Sequence, residues 1–289
     1  RRQRQMCIRD RYYGCGPHLV PQTGLKKLYY NMKLAYDKGD RDYFIMNVSN
    51  VREFVFELKA YAESAWSMSR YVPDDYLNRY CEKFGEHADE VKNAITDFYE
   101  SFPELDSKYL EKHLSTYFNY TKTAPPAGIT NFVLKEGSII DYGKRMTDNF
   151  DKDLNKWLCH EYAAAIKPII ANSDEICVRF EKITENLSEP LKTHFKIKWL
   201  LSAKTLNYIY KWYVALHDAK IYRDGADGEN MKKSILEASG YLFDYLKHRK
   251  CAEYGEFKNW YRGDLKMNIK QRLYDTLKII GQTPEMTEY

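Results

Sequence analysis

Residues 42–53 read DYFIMNVSNVRE, an apolar run that gives way to five polar side chains within seven positions. Asn47 and Asn50 each offer an amide donor and acceptor, which suits sugar hydroxyls. Ser49 adds a hydroxyl, and Arg52 carries a fork that can clamp a carboxylate in two places. Glu53 is the carboxylate nearest the end of the run, a weak catalytic candidate. If the run is a buried strand, these residues stand at its carboxyl end, where parallel β/α folds keep their sites. Tyr12, Tyr13 and His18, in the preceding loop YYGCGPHLVPQTG, come to the same rim. The competing reading is structural: Asn47 and Asn50 close a turn, Glu53 caps a helix start, and Arg52 is solvated.

Other constellations carry less. The dipeptide His160-Glu161 lacks a second metal-ligand histidine, because Ala164 occupies that position. There is neither a phosphate-binding glycine loop nor a G-x-S-x-G elbow. Cys15, Cys81, Cys159, Cys177 and Cys251 are scattered and form no framework, so buried free thiols are expected. Neither a metal nor a cofactor is implied. Trp199, Tyr208, Tyr210, Trp212 and Tyr213 read as bundle core, and Arg262-Gly263-Asp264 as part of a turn.

The positioning elements follow from periodicity. Leu25, Leu28, Tyr29, Met32, Ala35 and Tyr36 share a helical face over 25–38, and Gly39 sits where a left-handed residue ends a helix. Residues 43–48 are apolar on both faces, as a buried strand requires. A helix follows over 53–66, with Phe54, Leu58, Ala62 and Ala65 as its stripe. That loop–helix–strand–loop–helix order is the rhythm of a parallel β/α fold. Helices are then expected from Pro73 to Gly85, over 88–102 and 108–120, a break at 121–130, and an ambiguous stretch at 131–140 for which an extended excursion is one reading. Long amphipathic helices are expected over 142–170, 173–187, 190–222 and 229–251, then a closing loop and helix.

The fold class read from this pattern is mainly α: the terminal βα units of a truncated (β/α)8 barrel followed by an all-α bundle. Residues 12–70 form the barrel part, 71–255 the bundle and 256–289 the closing segment. One strand cannot fold alone, so this reading makes the chain a fragment. Of the net charge of +4, all lies in RRQRQMCIRDR at the start, and the remainder is balanced. That string resembles sequencing-adaptor read-through at the end of a metagenomic assembly and is set aside from the fold as 1–11. Without it there is no electrostatic case for nucleic acid or for an anionic membrane. No apolar run approaches the roughly 18 residues that span a bilayer. The 26 tyrosines suit sugar-ring stacking as well as half-buried helix packing.

Residues 12–67 carry a resemblance. The segment LKKLYYNMKLAYDKGDRDYFIMNVSNVREFVFELKAYAESAW is similar to the end of the catalytic barrel of glycoside hydrolase family 115, through Leu25, Lys27, Leu28, Met32, Leu34, Ala35, Tyr36, Asn47, Val48, Ala65 and Trp66. Gly14, Gly16 and Pro17 resemble its glycine-proline loop. The family's Gly-Asp after Asn-Val is Ser49-Asn50 here, and a glutamate of its pattern aligns with Val55. The resemblance implies an α-glucuronidase that removes (4-O-methyl)glucuronic acid from xylan with inversion. Inversion needs two carboxylates about 6.5–9.5 Å apart, which this chain does not visibly supply, so the resemblance implies that they lie mainly upstream. Asn47, Ser49 and Asn50 would then meet sugar hydroxyls, Tyr12 or Tyr13 the ring, and Arg52 or His18 the uronate. It further implies a carbohydrate partner, export to the periplasm or beyond, and a homodimer in the intact protein. The alternatives are a helical scaffold or interaction protein and a non-catalytic carbohydrate-binding relative.

Overall fold

The computed structural model describes residues 19–21, 23–42, 51–101, 104–105, 132–133, 136–154, 159–263 and 267–284. The expected strand at 43–48, the helix at 108–120 and the break at 121–130 lie outside them.

The described residues are mainly helical. Helix α1 spans Leu25–Asp37 and buries Leu25, Leu28 and Met32 on the expected face. Gly39 follows at φ 91°, the left-handed geometry expected after the helix end. Helix α2, Val51–Trp66, departs from its expected stripe. It buries Phe54 as expected, together with Glu53, Phe56, Glu57, Ala60 and Ser64. Ala62 and Ala65 are exposed. The reason is electrostatic: the buried face carries two glutamates whose partners come from distant segments. The outward face keeps Val51, Val55 and Trp66, the last 92% exposed.

Helix α3, Pro73–Cys81, opens with proline at its first position, where the missing N–H costs nothing. Tighter turns continue to His87, with Gly85 at φ 58° as the expected break. Helix α4, Ala88–Glu100, buries Val91, Ala94, Ile95 and Phe98. The extended excursion expected near 131–140 is a two-residue strand, β2 (Phe132–Val133), antiparallel to β1 (Glu104–Leu105).

Helix α5 spans Glu136–Asp148, so the single helix expected over 142–170 stops early. The carbonyls of the turn that follows it, 149–152, are taken by cations. Lys220 Nζ donates to Asn149 O at 2.8 Å and Phe150 O at 3.0 Å, and Arg223 reaches Phe150 O and, at 3.0 Å, Lys152 O. Positive charge at a helix carboxyl end is where the macrodipole favours it. Helix α6, Cys159–Asn186, runs unbroken through Pro168 and merges two expected helices. An interior proline costs roughly 3 kcal/mol; here Ile166, Ile176 and Phe180 are buried on both sides of it.

Helix α7 is Leu191–Phe195; a wide turn, Lys196–Leu200, joins it to α8, Leu201–Asp224. α8 was expected to be amphipathic. Leu206, Ile209, Trp212, Tyr213, Leu216 and Ala219 form its apolar face, but Ser202, Thr205, Asn207, His217 and Lys220 are buried as well, which leaves a narrow half-buried stripe of Lys204, Tyr208, Lys211, Val214 and Asp218. It packs against α5, α6 and α9, Gly228–Lys250. Asp227 caps α9 by accepting the Asn230 N–H at 3.1 Å. Helix α10, Ile269–Lys278, closes the described chain and packs on α9. Trp199, Tyr210, Trp212 and Tyr213 are buried and Tyr208 packs against the core, as expected. Cys81 and Cys177 are buried free thiols, while Cys251 is exposed. Among the described residues no helix is long and apolar enough to cross a membrane.

Candidate functional site

The start of α2 is where the sequence places its polar cluster, and Arg52 and Glu53 occupy its first turn. Glu53 and Glu57 lie one turn apart and both face the bundle, at 4% and 3% exposure. Burying a carboxylate is unfavourable unless it is paired and hydrogen-bonded, so the partners decide what this face can do.

Glu53 Oε1 accepts from Arg52 Nη2 at 2.9 Å, from Arg52 Nε at 3.2 Å and from the Tyr261 hydroxyl at 2.6 Å. The Trp260 indole N–H reaches Oε2 at 3.4 Å. Arg52 donates further to Tyr261 Oη at 2.8 Å and to the carbonyl of Ala252 at 2.8 Å. Its guanidinium carbon lies 4.6 Å from the Phe257 ring centroid and 5.4 Å from that of Trp260, within cation–π range. Burial raises the pKa of the Tyr261 phenol, and the charge and hydrogen bond of Glu53 raise it further, against Arg52 and Arg249. Tyr261 is therefore a neutral donor to Glu53.

Lys198, in the wide turn before α8, ties both glutamates. Its Nζ donates to the Glu53 carbonyl at 2.6 Å and to the two Glu57 oxygens at 2.9 and 2.8 Å. Burial lowers the Lys198 pKa, and Glu57 and Glu53 oppose that shift. Three acceptors match the three N–H bonds of an ammonium, so the geometry fits the charged form. The wide turn leaves the carbonyl of Lys198 to the Ser202 hydroxyl, at 2.6 Å. Tyr99 donates to Glu57, and Tyr76 to the carbonyl of Phe56 at 2.7 Å. Phe56 packs edge-on against Trp199, centroids 5.1 Å apart.

Chemically this is a neutral quartet of two carboxylates and two cations, closed to solvent. A general acid and base must reach substrate and water; these carboxylates reach protein donors. The arrangement positions: it fixes the first turns of α2, and with them the point where segment 43–50 enters the helix.

Of the expected site residues, the structure brings Arg52 and Glu53 together. Tyr12, Tyr13, His18, Asn47, Ser49 and Asn50 lie outside the described residues. Arg52 is not the solvated side chain of a bare helix start, since 12% of it is exposed and it clamps the carboxylate of Glu53. Sequence reasoning missed Glu57, Lys198 and Tyr261. A signal existed for Lys198, a lysine inside the apolar run IKWLL. Away from this site, the His217 and His160 rings share a hydrogen bond of 3.0 Å between Nε2 and Nδ1. Among the described residues no cluster of three or more His, Cys, Asp or Glu side chains could hold a metal ion.

Comparison with curated proteins finds no match. Among family models, the one for glycosyl hydrolase family 115 matches residues 11–109, a span that contains the polar cluster, Arg52, Glu53 and Glu57. That match supports membership of glycosyl hydrolase family 115 for residues 11–109.

Proposed function

We propose that this chain serves an α-glucuronidase-type glycoside hydrolase that acts on uronic-acid-substituted xylan by inverting hydrolysis. The observation that carries the reading is the family match over residues 11–109, the span in which the polar residues of 47–53 sit. In this reading residues 12–70 are the closing βα units of a (β/α)8 barrel. Asn47, Ser49 and Asn50 contact sugar hydroxyls, Tyr12 or Tyr13 stacks on the ring, and His18 stands near the uronate. Arg52 and Glu53 act one step removed, by holding the helix start. The exposed apolar face of α2, Val51, Val55 and Trp66, supports a second packing partner for that helix, as a barrel helix finds in its sheet.

Inverting hydrolysis needs a carboxylic acid to protonate the leaving oxygen and a carboxylate to activate water on the opposite face. Glu53 and Glu57 are both committed to internal cations. We therefore infer that this chain alone recognises the sugar without cleaving it. That commitment also favours the second reading, a non-catalytic carbohydrate-binding protein.

The test is calorimetric titration of the chain with a glucuronic-acid-bearing xylo-oligosaccharide and with the same oligosaccharide lacking the acid, followed by product analysis. Preferential binding of the acidic sugar without release of glucuronic acid is expected. Equal affinity for both would overturn the substrate class, and release of glucuronic acid would overturn the inferred inactivity.

A further inference from the structure

Tyr80, at the end of α3, and Lys83, in the tighter turns after it, meet His194 of α7 and Trp199 of the wide turn. None of the four belongs to the quartet around Glu53. Tyr80 Oη lies 2.8 Å and Lys83 Nζ 3.0 Å from the same ring atom, His194 Nε2. The Trp199 indole N–H donates to Tyr80 Oη at 2.9 Å.

The proton positions follow from what each group can donate. An indole N–H only donates, so Tyr80 Oη accepts from it. Among the described residues the Tyr80 O–H has one acceptor, His194 Nε2. Burial raises the Tyr80 pKa against the Trp199 hydrogen bond, so the phenol keeps its proton. Burial, Lys83 and Lys198 lower the His194 pKa to about 4. The ring is therefore neutral, and the single lone pair of Nε2 is filled by Tyr80.

An ammonium at Lys83 would have to share that lone pair. Among the described residues no carboxylate pairs with it; its contacts are His194 and the faces of two rings. Its Nζ stands 3.7 Å from the Tyr80 ring centroid and 5.1 Å from that of Phe84. Those faces favour a cation, but the loss of water outweighs them. Burial, with the charge of Lys59 beside it, lowers the Lys83 pKa to about 8 against Cys81. Lys83 is nonetheless an exposed residue. A reachable lysine with a shared acceptor and a second cation nearby is an amine made nucleophilic near neutral pH.

We propose that Lys83 is a modification site, a nucleophilic amine that condenses with aldehydes, the open-chain end of a reducing sugar among them, to form an imine. This goes beyond the function proposed above and does not rest on it. The Nζ lone pair adds to the carbonyl carbon, and the π pair of C=O moves to oxygen. Nζ gives up both its protons, oxygen takes up two and leaves as water, and a C=N bond replaces the C=O bond. Nothing is oxidised or reduced.

The full chain is incubated with glycolaldehyde and sodium cyanoborohydride, which traps the imine as a secondary amine, at a series of pH values. Each lysine is then read by peptide mass spectrometry. The reference is Lys33, whose pKa the hydrogen bond from its amine to Asp37 raises. At about pH 8 roughly half of Lys83 is neutral, against roughly one in 250 of an ordinary lysine, although a less basic amine attacks more slowly. Lys83 should therefore label about tenfold faster than Lys33 or more, an advantage that fades at about pH 11. Tyr80→Phe frees the Nε2 lone pair for the Lys83 ammonium, so labelling at about pH 8 should fall severalfold. Lys59→Glu, on an exposed side chain, replaces a repelling charge with an attracting one and should do the same at the parent melting temperature. If Tyr80→Phe does not fold, having left the Trp199 N–H without an acceptor, Lys59→Glu decides alone.

Labelling of Lys83 no faster than that of Lys33 at about pH 8 would overturn the proposal. So would a rate unchanged in the folded variants, because the groups around Nζ would then have no part in its reactivity.

Discussion

Lys198 and Glu57 form a salt bridge of 2.8 Å between side chains that are 6% and 3% exposed. They are 141 positions apart in sequence. The pair joins α2, next to the polar segment 47–53, to the turn that opens the central helix of the bundle. A buried pair of this kind is weak as a source of net stability but severe when broken, because one charge is then left without a partner.

Lys198→Met should therefore destabilise the chain by about 3–5 kcal/mol. Glu57→Leu in the same chain should recover a large part of that loss, since two apolar groups need no partners. Urea unfolding of the two single variants and the double variant forms a cycle that isolates the coupling. Additive losses would show that the two side chains do not act together.

Gly143 lies against the indole of Trp212, and a Cβ added there would sit 2.1 Å from the nearest ring carbon. The ring cannot easily give way. It is fully buried, and its N–H donates to Thr276 Oγ1 at 3.1 Å. Gly143→Ala should cost at least the roughly 1–3 kcal/mol of ordinary overpacking. A melting temperature equal to that of the parent would contradict this contact between α5 and α8.

Stability should fall on acidification through His194, whose pKa burial, Lys83 and Lys198 lower to about 4, and through His248. His248 Nε2 is buried without a hydrogen-bond partner. Burial, and then the charges of Lys204 and Lys196, lower its pKa to about 4 against the opposing charge of Glu181. The folded state thus takes up the proton at lower pH than the unfolded chain, whose histidine titrates near about 6.5. The contribution is complete above the unfolded value and is lost as pH falls toward about 4. Its size is at most about 3 kcal/mol. Urea unfolding between these limits should show a shallower acid loss for His248→Phe than for the parent. Identical slopes would contradict the assignment.

How much of this was legible in the sequence depends on where the partners lie. Leu25, Leu28 and Met32 show the face of α1 through spacing alone, and Gly39 and Gly85 mark helix ends through a backbone geometry that glycine tolerates. The face of α2 was misjudged at Ala62 and Ala65, because periodicity counts apolar residues and this face buries Glu53 and Glu57. Their partners, Lys198 and Tyr261, are distant in sequence, and no local pattern reports them. The end of α5 was hidden for the same reason, since Lys220 and Arg223 arrive from α8. The break expected between 170 and 173 is absent, because packing on both sides of Pro168 carries α6 on to Asn186. At the site itself, residue chemistry pointed to the polar cluster around 47–53. It could not tell that Arg52 would find its carboxylate one residue away in Glu53.

The proposed function requires that residues beside the start of α2 recognise a uronic acid sugar. The most direct measurement is the affinity of the parent chain and of Asn47→Ala for a glucuronic-acid-bearing xylo-oligosaccharide, by calorimetry, with melting temperatures taken on the same samples. Loss of one amide that bonds a sugar hydroxyl should weaken binding about fivefold to tenfold at unchanged melting temperature. Unchanged affinity in Asn47→Ala, or no binding by the parent chain, would contradict it.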